Sequence, residues 1–264
     1  SHPLFSLQGR VIVVTGATGV LAGSAARYLV AQGARVAFLG RDEAKLRQAA
    51  ADTQGGPGET ATFACDVLDR PGLERARDGV LARFGRIDAL INAAGGNQPG
   101  AVIPPDKTFF DLDLVSYRQV LALNLEGTVL PSQVFATALV QQKRGGIINF
   151  SSMAAERAIT RVVGYSSAKA AVDNFTRWLA VEFATKYGDG LRVNAIAPGF
   201  FVADQNRRLL LNEDGTPTAR GQAVLNQTPF RRFGSAPDLH GAVHFLLSDA
   251  SAFVTGVVLF SGHQ

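Results

Sequence analysis

The sequence predicts an α/β fold built on a doubly wound parallel sheet of about seven strands. Short apolar runs, most of them rich in Val and Ile, alternate with longer amphipathic segments from one end of the chain to the other. Runs that are apolar on both faces are typical of parallel strands covered by helices on both sides. The length of 264 residues suits one large domain, and no linker or internal repeat divides the chain. We therefore expect residues 1–264 to form a single domain.

The individual elements follow from these runs and from the residues that flank them. Strands are predicted at residues 11–15, 35–39, 60–65, 87–92, 146–151, 191–195 and 257–260, and helices at 20–32, 42–54, 70–84, 112–142, 164–187 and 237–248. Asp42 and Asp69 are typical helix starts, because a carboxylate accepts hydrogen bonds from free backbone N–H groups. Gly33, Gly85 and Gly188 are typical helix stops. Strand–helix–strand units are right-handed, so the alternation predicts a doubly wound sheet.

Residues 200–234 interrupt the alternation of strands and helices. The segment is long, contains a turn sequence at residues 212–217, and has an apolar run at residues 209–211. Long insertions in α/β sheets often lie beside the ligand crevice at the carboxyl ends of the strands. We interpret the segment as a lid, with a disordered surface loop as the alternative.

Composition excludes several other classes of protein. The net charge is +4, but the basic residues are scattered and not interleaved with aromatic ones, so we expect no nucleic-acid binding. A polyanionic small ligand explains the surplus of positive charge equally well. No apolar run approaches the roughly 18 residues that a membrane span requires. The single cysteine, Cys65, excludes an internal disulfide framework and favours a cytoplasmic location.

Ser152, Tyr165 and Lys169 form the pattern that points most directly to chemistry. Tyr165 and Lys169 are four residues apart, so on a helix they share one face. An ammonium group beside a phenol lowers the phenol pKa, which makes Tyr165 a candidate general acid or base. Ser152 ends an apolar run, where its hydroxyl could bind a substrate oxygen. The alternative is a solvated helix face, since such a Tyr–Lys pair arises by chance in roughly 8% of comparable sequences.

A glycine-rich turn follows the first predicted strand. Gly16, Thr18, Gly19 and Leu21 lie where the strand passes into a helix. Small residues at such a turn let backbone N–H groups approach a pyrophosphate at the positive end of the helix. In the first strand–helix unit of a doubly wound sheet, the pattern predicts a dinucleotide cofactor.

The ends of the next three strands extend the predicted cofactor site. After the second strand, Gly40 stands where an acidic residue would bind the 2′-hydroxyl of NAD, and Arg41 suits the 2′-phosphate of NADP. NADP is therefore favoured, with NAD as the alternative cofactor. Asp66, followed by Val67, ends the third strand, where its carboxylate could bond to the adenine amino group. The fourth strand ends in three small or polar candidates, Asn92, Ala93 and Gly95.

The order of these motifs resembles that of the short-chain dehydrogenase/reductase family over nearly the whole chain. The matching segments are the Gly16 turn, residues 92–95, residues 123–127, the Ser152, Tyr165 and Lys169 pattern, and residues 192–199. The resemblance implies a Rossmann-like fold and an NAD(P)-dependent enzyme that interconverts a ketone and a secondary alcohol. It also implies a homo-oligomer, either a tetramer or a dimer. One departure is that Val20 and Ala22 stand where the family usually has glycines.

The resemblance also implies roles for individual residues. Tyr165 would transfer the proton, and Ser152 would polarise the substrate carbonyl. Lys169 would lower the tyrosine pKa and bind the nicotinamide ribose, while Asn124 would hold a water molecule in a proton relay. The residues that would flank the nicotinamide are Pro198, Gly199 and Phe201.

A narrower resemblance concerns the substrate. Residues 94–99, 108–113, 174–181, 198–201, 205–207 and 212–215 resemble the D-mannonate oxidoreductase (fructuronate reductase) branch of the family. The implied substrate is a sugar acid, whose carboxylate would need a cation such as Arg161 or Arg207. The candidates for binding its hydroxyls are Asn97, Gln205 and Asn206. The alternatives are another polyol, sugar or 3-oxoacyl substrate, or a dinucleotide-binding regulator without catalysis.

His240 and His244 are the one pair that could suggest a metal. They are four residues apart on a predicted helix, but the sequence shows no third ligand near them. We therefore expect a structural role for both histidines and no metal.

Overall fold

Seven parallel strands form one sheet in the computed structural model, which describes residues 2–53 and 55–262 apart from the side chains of Asp204 and Gln205. The strands are β1 (Val11–Thr15), β2 (Arg35–Gly40), β3 (Glu59–Ala64), β4 (Ala89–Asn92), β5 (Gly145–Phe150), β6 (Leu191–Pro198) and β7 (Val258–Ser261). Their order across the sheet is β3-β2-β1-β4-β5-β6-β7, and each neighbouring pair is parallel. The predicted doubly wound α/β sheet is confirmed.

The helices outside residues 200–234 lie close to their predicted positions, and two further helices form within that segment. In chain order, the helices are α1 (Val20–Ala31), α2 (Glu43–Ala51), α3 (Arg70–Phe84), α4 (Leu114–Leu121), α5 (Gly127–Gln142), α6 (Val163–Tyr187), α7 (Asp204–Leu210), α8 (Ala219–Gln227) and α9 (His240–Leu247). Asp42 caps α2 by accepting from the Lys45 N–H, and Asp69 caps α3 by accepting from the Gly72 N–H. Gly85 ends α3 in the left-handed conformation. Across the described residues, no helix has both the length and the apolar character that crossing a membrane requires.

The helical segment predicted at residues 112–142 is confirmed, but it contains a π-helical turn that the sequence did not predict. α4 and α5 are joined by a π-helical turn, Ala122–Glu126, which contains Asn124. A π-helical turn inserts one extra residue into the helix, and such turns often occur at functional sites. The side chain of Asn124 bonds to the loop after β4, a tertiary contact that the helical periodicity of the sequence does not show.

The core lies on both faces of the sheet, because successive side chains of a strand point to opposite sides. Ile12 and Val14 of β1 pack in the layer that contains α1 and α9. Val11 and Val13 pack in the opposite layer, which contains α3, α5 and α6. All five residues of β1 are buried, which explains why this strand is apolar throughout rather than alternating.

A ligand crevice is expected where the strand order switches from one side of β1 to the other. β1 pairs with β2 on one side and with β4 on the other, so the loops after β1 and β4 diverge at their carboxyl ends. Thr15, the last residue of β1, ties these two loops together. Its Oγ1 accepts from the N–H groups of Ala93 at 3.1 Å and Ala94 at 3.2 Å, and donates to the Ile91 carbonyl at 3.4 Å.

Residues 200–234, predicted to be a lid, form α7, a turn and α8. A parallel bridge between Phe201 and Gly234 closes the base of this segment. Within the apolar run, Leu210 is 1% exposed whereas Leu209 is 45% exposed. Leu210 therefore packs inside the protein, and Leu209 faces solvent.

Thr15→Val should destabilise the fold by about 1–3 kcal/mol, because it keeps the side-chain shape but leaves two backbone donors without an acceptor. Urea unfolding measures this change. Thr185→Val is the matched control, since the hydroxyl of Thr185 bonds only to Val181 O, one turn back on an exposed face of α6. Equal effects of the two substitutions would show that the Thr15 bridge does not stabilise the crevice.

Candidate active site

Ser152, Tyr165 and Lys169 come together at the carboxyl end of β5. Ser152 follows β5 and caps a short 3₁₀ turn by accepting from the Ala154 N–H at 3.2 Å. Tyr165 and Lys169 lie one turn apart near the start of α6. The Lys169 Nζ lies 5.5 Å from the centre of the Tyr165 ring. The spacing in the sequence thus correctly places the phenol and the ammonium group on one face of a helix.

Lys169 is a buried cation with a specific acceptor. Its residue is 4% exposed, and its Nζ donates to the Phe150 carbonyl at the end of β5 over 2.7 Å. Burial lowers the pKa of Lys169 to about 8, and the carboxyl of Asp173 acts in the opposite direction. An ammonium group with this pKa can gain or lose a proton near neutral pH.

The pKa of Tyr165 departs from the sequence-based expectation. Burial raises the pKa of this phenol above its ordinary value, and the nearby hydroxyl of Ser152 lowers it only in part. The expectation that Lys169 brings the phenol pKa toward neutrality is therefore wrong for the chain by itself. The physical reason is that desolvation of the phenolate outweighs its stabilisation in this pocket.

Asn124 is fully buried in the π-helical turn, and all of its amide contacts go to backbone groups. Its Oδ1 accepts from the Gly96 N–H at 3.1 Å, and its Nδ2 donates to the carbonyls of Gly96 at 2.7 Å and Val120 at 2.8 Å. These bonds fix the loop after β4 against α4. A Cβ at Gly95 would lie 2.6 Å from Asn124 Oδ1 and 3.5 Å from Lys169 Nζ, so only glycine fits beside them.

The glycine-rich turn keeps glycine at the positions where the backbone requires it. Gly16 has a φ of +67°, and a Cβ there would lie 2.8 Å from the Ala94 Cα across the crevice. A Cβ at Gly23 would lie 2.8 Å from the Ala17 carbonyl oxygen. Val20 begins α1 at 38% exposure and Ala22 packs inside, so neither departure from the family pattern disturbs the turn.

Thr18, Gly19 and Leu21 lie at the N-terminus of α1, where the first backbone N–H groups of a helix have no intrahelical acceptor. Thr18 and Gly19 are exposed to the crevice side of the chain, and Leu21 is half-buried. Gly19 is the N-cap and has no side chain to occupy the free donors. The turn can therefore bind an anionic group.

The ends of β2 and β3 supply the predicted adenosine side of the crevice. Arg41 is exposed directly after β2, and a Cβ at Gly40 would lie 3.8 Å from the Thr18 methyl group. Asp66 is half-buried, and its Oδ1 accepts from the Leu68 N–H at 2.9 Å. Val67 is buried against Gly127, where a Cβ would approach it to 2.9 Å.

Asn92, predicted to contact the cofactor, directs its side chain into the protein. Its Nδ2 donates to Ser132 Oγ and to Asn149 Oδ1, each at 2.9 Å, and Asn149 donates in turn to Thr176 Oγ1. All four side chains are buried. Ser132, Asn149 and Thr176 were not predicted from the sequence to be functional. The one signal for this hydrogen-bond network is an asparagine, Asn149, inside the apolar run at residues 146–151. Ala93 and Gly95, the other two predicted residues, remain on the crevice.

The end of β6 connects the crevice to the lid. Pro198 ends β6, and the Gly199 N–H donates to the Ser261 carbonyl at 2.7 Å. Phe201 is 5% exposed, and a Cβ at Gly234 would lie 2.6 Å from its ring. The ring of Phe201 therefore anchors the base of the lid.

The described side chains among the predicted substrate residues lie in different local environments. Asn97 is exposed, and its Oδ1 accepts from the Gln98 N–H at 2.9 Å. Asn206 caps α7 by accepting from the Ala203 N–H and donating to the Phe201 carbonyl, each at 2.8 Å. Arg207 is exposed on α7, and Arg161 is half-buried in the loop before α6. The side chain of Gln205 lies outside the described residues.

His240 and His244 have structural partners on α1 and at the start of the chain. His240 Nε2 lies 2.9 Å from Ser24 Oγ, and His244 Nδ1 lies 2.9 Å from Tyr28 OH. His244 Nε2 also lies 2.6 Å from the Phe5 carbonyl oxygen, and Tyr28 stacks on His240. Within the described ranges, no cluster of three His, Cys, Asp or Glu side chains could bind a metal.

The chain is similar to known oxidoreductases along most of its length. A family model described as enoyl-(acyl carrier protein) reductase matches residues 16–261. An uncharacterised oxidoreductase, UxuB, of Bacillus subtilis strain 168 is 43% identical over 96% of this chain and 94% of its own length. The D-threitol dehydrogenase of Mycolicibacterium smegmatis is 34% identical over 97% of this chain and 92% of its own length.

A solved structure is also similar along the whole chain. A Haemophilus influenzae protein, provisionally described as a D-mannonate oxidoreductase and crystallised with bound NAD, is 40% identical. The match covers 97% of this chain and 94% of that chain, with a TM-score of 0.89. The agreement extends to the lid as well as to the sheet, since so little of either chain lies outside the match.

The low pKa of Lys169 predicts a rise in stability at alkaline pH. Lys169 binds a proton more weakly in the folded chain, with a pKa of about 8 against 10.5 for an ordinary lysine. The unfolded chain therefore holds more protons between these pH values, and stability from this group increases as the pH rises through them. Relative to Lys169→Met, the wild-type free energy of unfolding should increase by on the order of 1–3 kcal/mol between pH 7 and 10.5.

Urea unfolding of the cofactor-free protein at several pH values measures this increase. Lys186→Met is the control, since Lys186 lies near the end of the same helix, is exposed, and has a pKa raised by Glu182. Lys186→Met should not reproduce the effect. Parallel pH profiles for wild type and Lys169→Met would contradict the proposed desolvation of Lys169.

Proposed function

Since the chain belongs to the short-chain dehydrogenase/reductase family, we propose that it interconverts the ketone and the secondary alcohol of a sugar acid of the D-fructuronate/D-mannonate type. As a member, it is an NAD(P)-dependent oxidoreductase acting on CH–OH groups. The observation that carries the proposal is the arrangement of Ser152, Tyr165 and Lys169 beside the side-chain-free surface at Gly95. We further propose that residues 1–264 act as one catalytic unit.

The crevice fits a dinucleotide on three grounds. Gly16 and Gly95 let the loops after β1 and β4 pack closely, because a Cβ at Gly16 would collide with Ala94 and a Cβ at Gly95 with Asn124. The uncapped N-terminus of α1 offers backbone donors for a pyrophosphate. The ends of β2 and β3, with Arg41 and Asp66, lie where an adenosine would extend. A bound nicotinamide would supply or accept the hydride.

The chain's own residues would handle the proton and the carbonyl oxygen. We propose that Ser152 donates a hydrogen bond to the substrate oxygen and that Tyr165 gives the proton to it, or takes the proton in the reverse direction. The hydrogen bond between the Ser152 and Tyr165 side chains supports this proposal, because it brings the two hydroxyls together. A phenol whose pKa is raised by burial holds its proton at neutral pH, which suits the acid needed for ketone reduction.

Lys169 and Asn124 would complete the proton path. Both approach the position that a Cβ at Gly95 would occupy, so they border the same small volume. We propose that the Lys169 ammonium stabilises the phenolate left after proton transfer and binds the nicotinamide ribose. Asn124 would organise the water through which the proton is replaced. The bonds of its side chain to Gly96 and Val120 give this part of the crevice a fixed shape.

The cofactor preference that we propose is NADP over NAD. Arg41 is exposed and free of any ion pair among the described residues, and Gly40 places no acidic side chain beside it. A planar guanidinium binds phosphate through two parallel hydrogen bonds. The similar Haemophilus protein was crystallised with NAD, so both cofactors belong in the test.

The sugar-acid substrate is supported by the same neighbour, and a neutral polyol is the second candidate. The D-threitol dehydrogenase relative acts on a polyol without a carboxylate, as its name states. Asn97, Arg161, Gln205 and Arg207 remain predicted substrate residues. Asn206 is a weaker one, because its amide is occupied in capping α7.

We also propose that the enzyme is a homo-oligomer, a tetramer or a dimer, and that it is cytoplasmic. Trp178 and Val181 of α6 are 57% and 67% exposed, an unusual amount of apolar surface for one helix. An adjacent groove between α5 and α6 is lined by Val129 and Phe175. The cytoplasmic location is a prediction from the single cysteine, Cys65.

Tyr165→Phe should lower turnover by about 10²- to 10⁴-fold, because it removes only the proton donor. NADPH binding, followed by fluorescence, should change little. Tyr187→Phe is the control, since Tyr187 ends the same helix and is 43% exposed. Retained turnover in Tyr165→Phe would exclude the proposed mechanism.

A separate outcome would favour a dinucleotide-binding regulator. In that case the wild-type protein would bind the cofactor but would not turn over ketoses, keto-acids or 3-oxoacyl compounds.

Arg41→Ala should raise the KM for NADPH about tenfold or more and leave the KM for NADH nearly unchanged, because only NADPH carries the 2′-phosphate. Steady-state oxidation of both cofactors measures the split. Arg47→Ala is the matched control, as Arg47 is exposed on α2 and paired with Glu43 at 2.6 Å. An equal effect on both cofactors would contradict the assignment of Arg41 to the phosphate.

A further inference from the structure

Arg161 lies in the loop that leads into α6, four residues before Tyr165. Its φ is +77°, a left-handed value that is uncommon for any residue other than glycine. The Arg161 carbonyl accepts from the Ile103 N–H at 3.0 Å, which ties this loop to the segment after β4. Non-glycine residues keep such a conformation only when their surroundings impose it, and these positions cluster at ligand sites. The backbone of Arg161 is therefore fixed at the side of the crevice where the proposed proton donor lies.

Arg220 lies on α8 of the lid. Its Nε is buried, and no hydrogen-bond acceptor reaches it from the described side chains. Its pKa is lowered by burial first and then by the positive charge of Arg161. The two guanidinium groups are thus close enough to repel each other. Arg161 lies in the loop before α6, and Arg220 lies on α8 of the lid.

Both arginines differ from most other arginines in the chain. Arg10, Arg35, Arg47 and Arg232, for example, each form an ion pair with a carboxylate. In the described part of the chain, neither Arg161 nor Arg220 forms one. A buried charged donor without an acceptor, such as the Arg220 Nε, is costly, and the positive charge of Arg161 adds to the cost. An anion between the two would remove both penalties.

We propose that Arg161 and Arg220 together bind the carboxylate of the sugar-acid substrate. The proposal rests on the reductase function proposed above and adds Arg220, which the sequence did not single out. A planar carboxylate matches the parallel donors of a guanidinium, and the buried Nε is one such donor. The exposed Arg207 becomes the weaker candidate of the two lid arginines. Because Arg161 lies before α6 and Arg220 lies on the lid, an acidic substrate would bridge the lid and the start of α6. A neutral ketose would not.

The first test compares an acidic substrate with a neutral one of similar size. Arg161→Met and Arg220→Met should each raise the KM for D-fructuronate by about 10- to 100-fold, while the KM for D-fructose changes less than about threefold. Arg220→Lys should recover only part of the loss, since an ammonium group cannot form the paired hydrogen bonds. Arg208→Met is the control, because Arg208 is exposed on α7 and has no assigned role. It should leave both KM values unchanged.

Two kinetic outcomes would overturn the proposal. Equal increases in KM for D-fructuronate and D-fructose would show a general effect of the lid, and no increase would show that the carboxylate binds elsewhere. D-Fructose 6-phosphate separates the two kinds of anion. If the variants impair this phosphate ester more than D-fructuronate, the pair is a phosphate site and the carboxylate assignment is wrong.

A binding experiment keeps the failure of this proposal distinct from the failure of the proposed function. Calorimetric titration of the NADPH-loaded protein with D-mannonate and with D-mannitol should show tighter binding of the acid, lost in Arg161→Met and Arg220→Met. Arginine-dependent binding without turnover would support the carboxylate site and contradict the reductase function. Turnover of neutral ketoses with no preference for the acid would support a reductase and overturn the carboxylate site.

Discussion

The hydrogen bond from the buried Lys169 ammonium to the Phe150 carbonyl fixes the active-site helix against the sheet. The bond is 2.7 Å long and joins α6 to the carboxyl end of β5. Because the ammonium is desolvated, its pKa falls to about 8, and a group buried for structural reasons becomes one that can respond to a nearby proton transfer. Tyr165 lies one turn earlier on α6, and its ring centre is 5.5 Å from the Lys169 Nζ.

Buried polar groups support the crevice from below. Asn92, Asn149 and Thr176 form a hydrogen-bonded chain across β4, β5 and α6, with Ser132 joining from α5. Such groups are costly to bury unless they are paired, and paired they restrict the elements to one relative arrangement. These hydrogen bonds hold β4, β5, α5 and α6 together beneath the loops that contain Gly16 and Gly95.

The lid differs from this frame in how it is attached. Its base is anchored by the ring of Phe201 against Gly234, and its helices by Leu210, which is 1% exposed. Arg220, on α8 of the lid, has a pKa that is lowered by burial and by the positive charge of Arg161, which lies outside the lid. In the proposed carboxylate site, substrate selection would depend on two segments that are far apart in the sequence.

The sequence by itself determined the sheet, most helix limits and the Tyr165–Lys169 pair, because these depend on local periodicity and on residues four apart. β1 agrees with its predicted limits, 11–15, and Asp42 and Asp69 cap the predicted helices. Only the tertiary structure decided the π-helical turn at Asn124, the inward direction of Asn92, the raised pKa of Tyr165 and the effect of the Arg161 charge on Arg220. Each of these depends on burial or on contact between distant segments, and neither desolvation nor long-range proximity is encoded in local spacing.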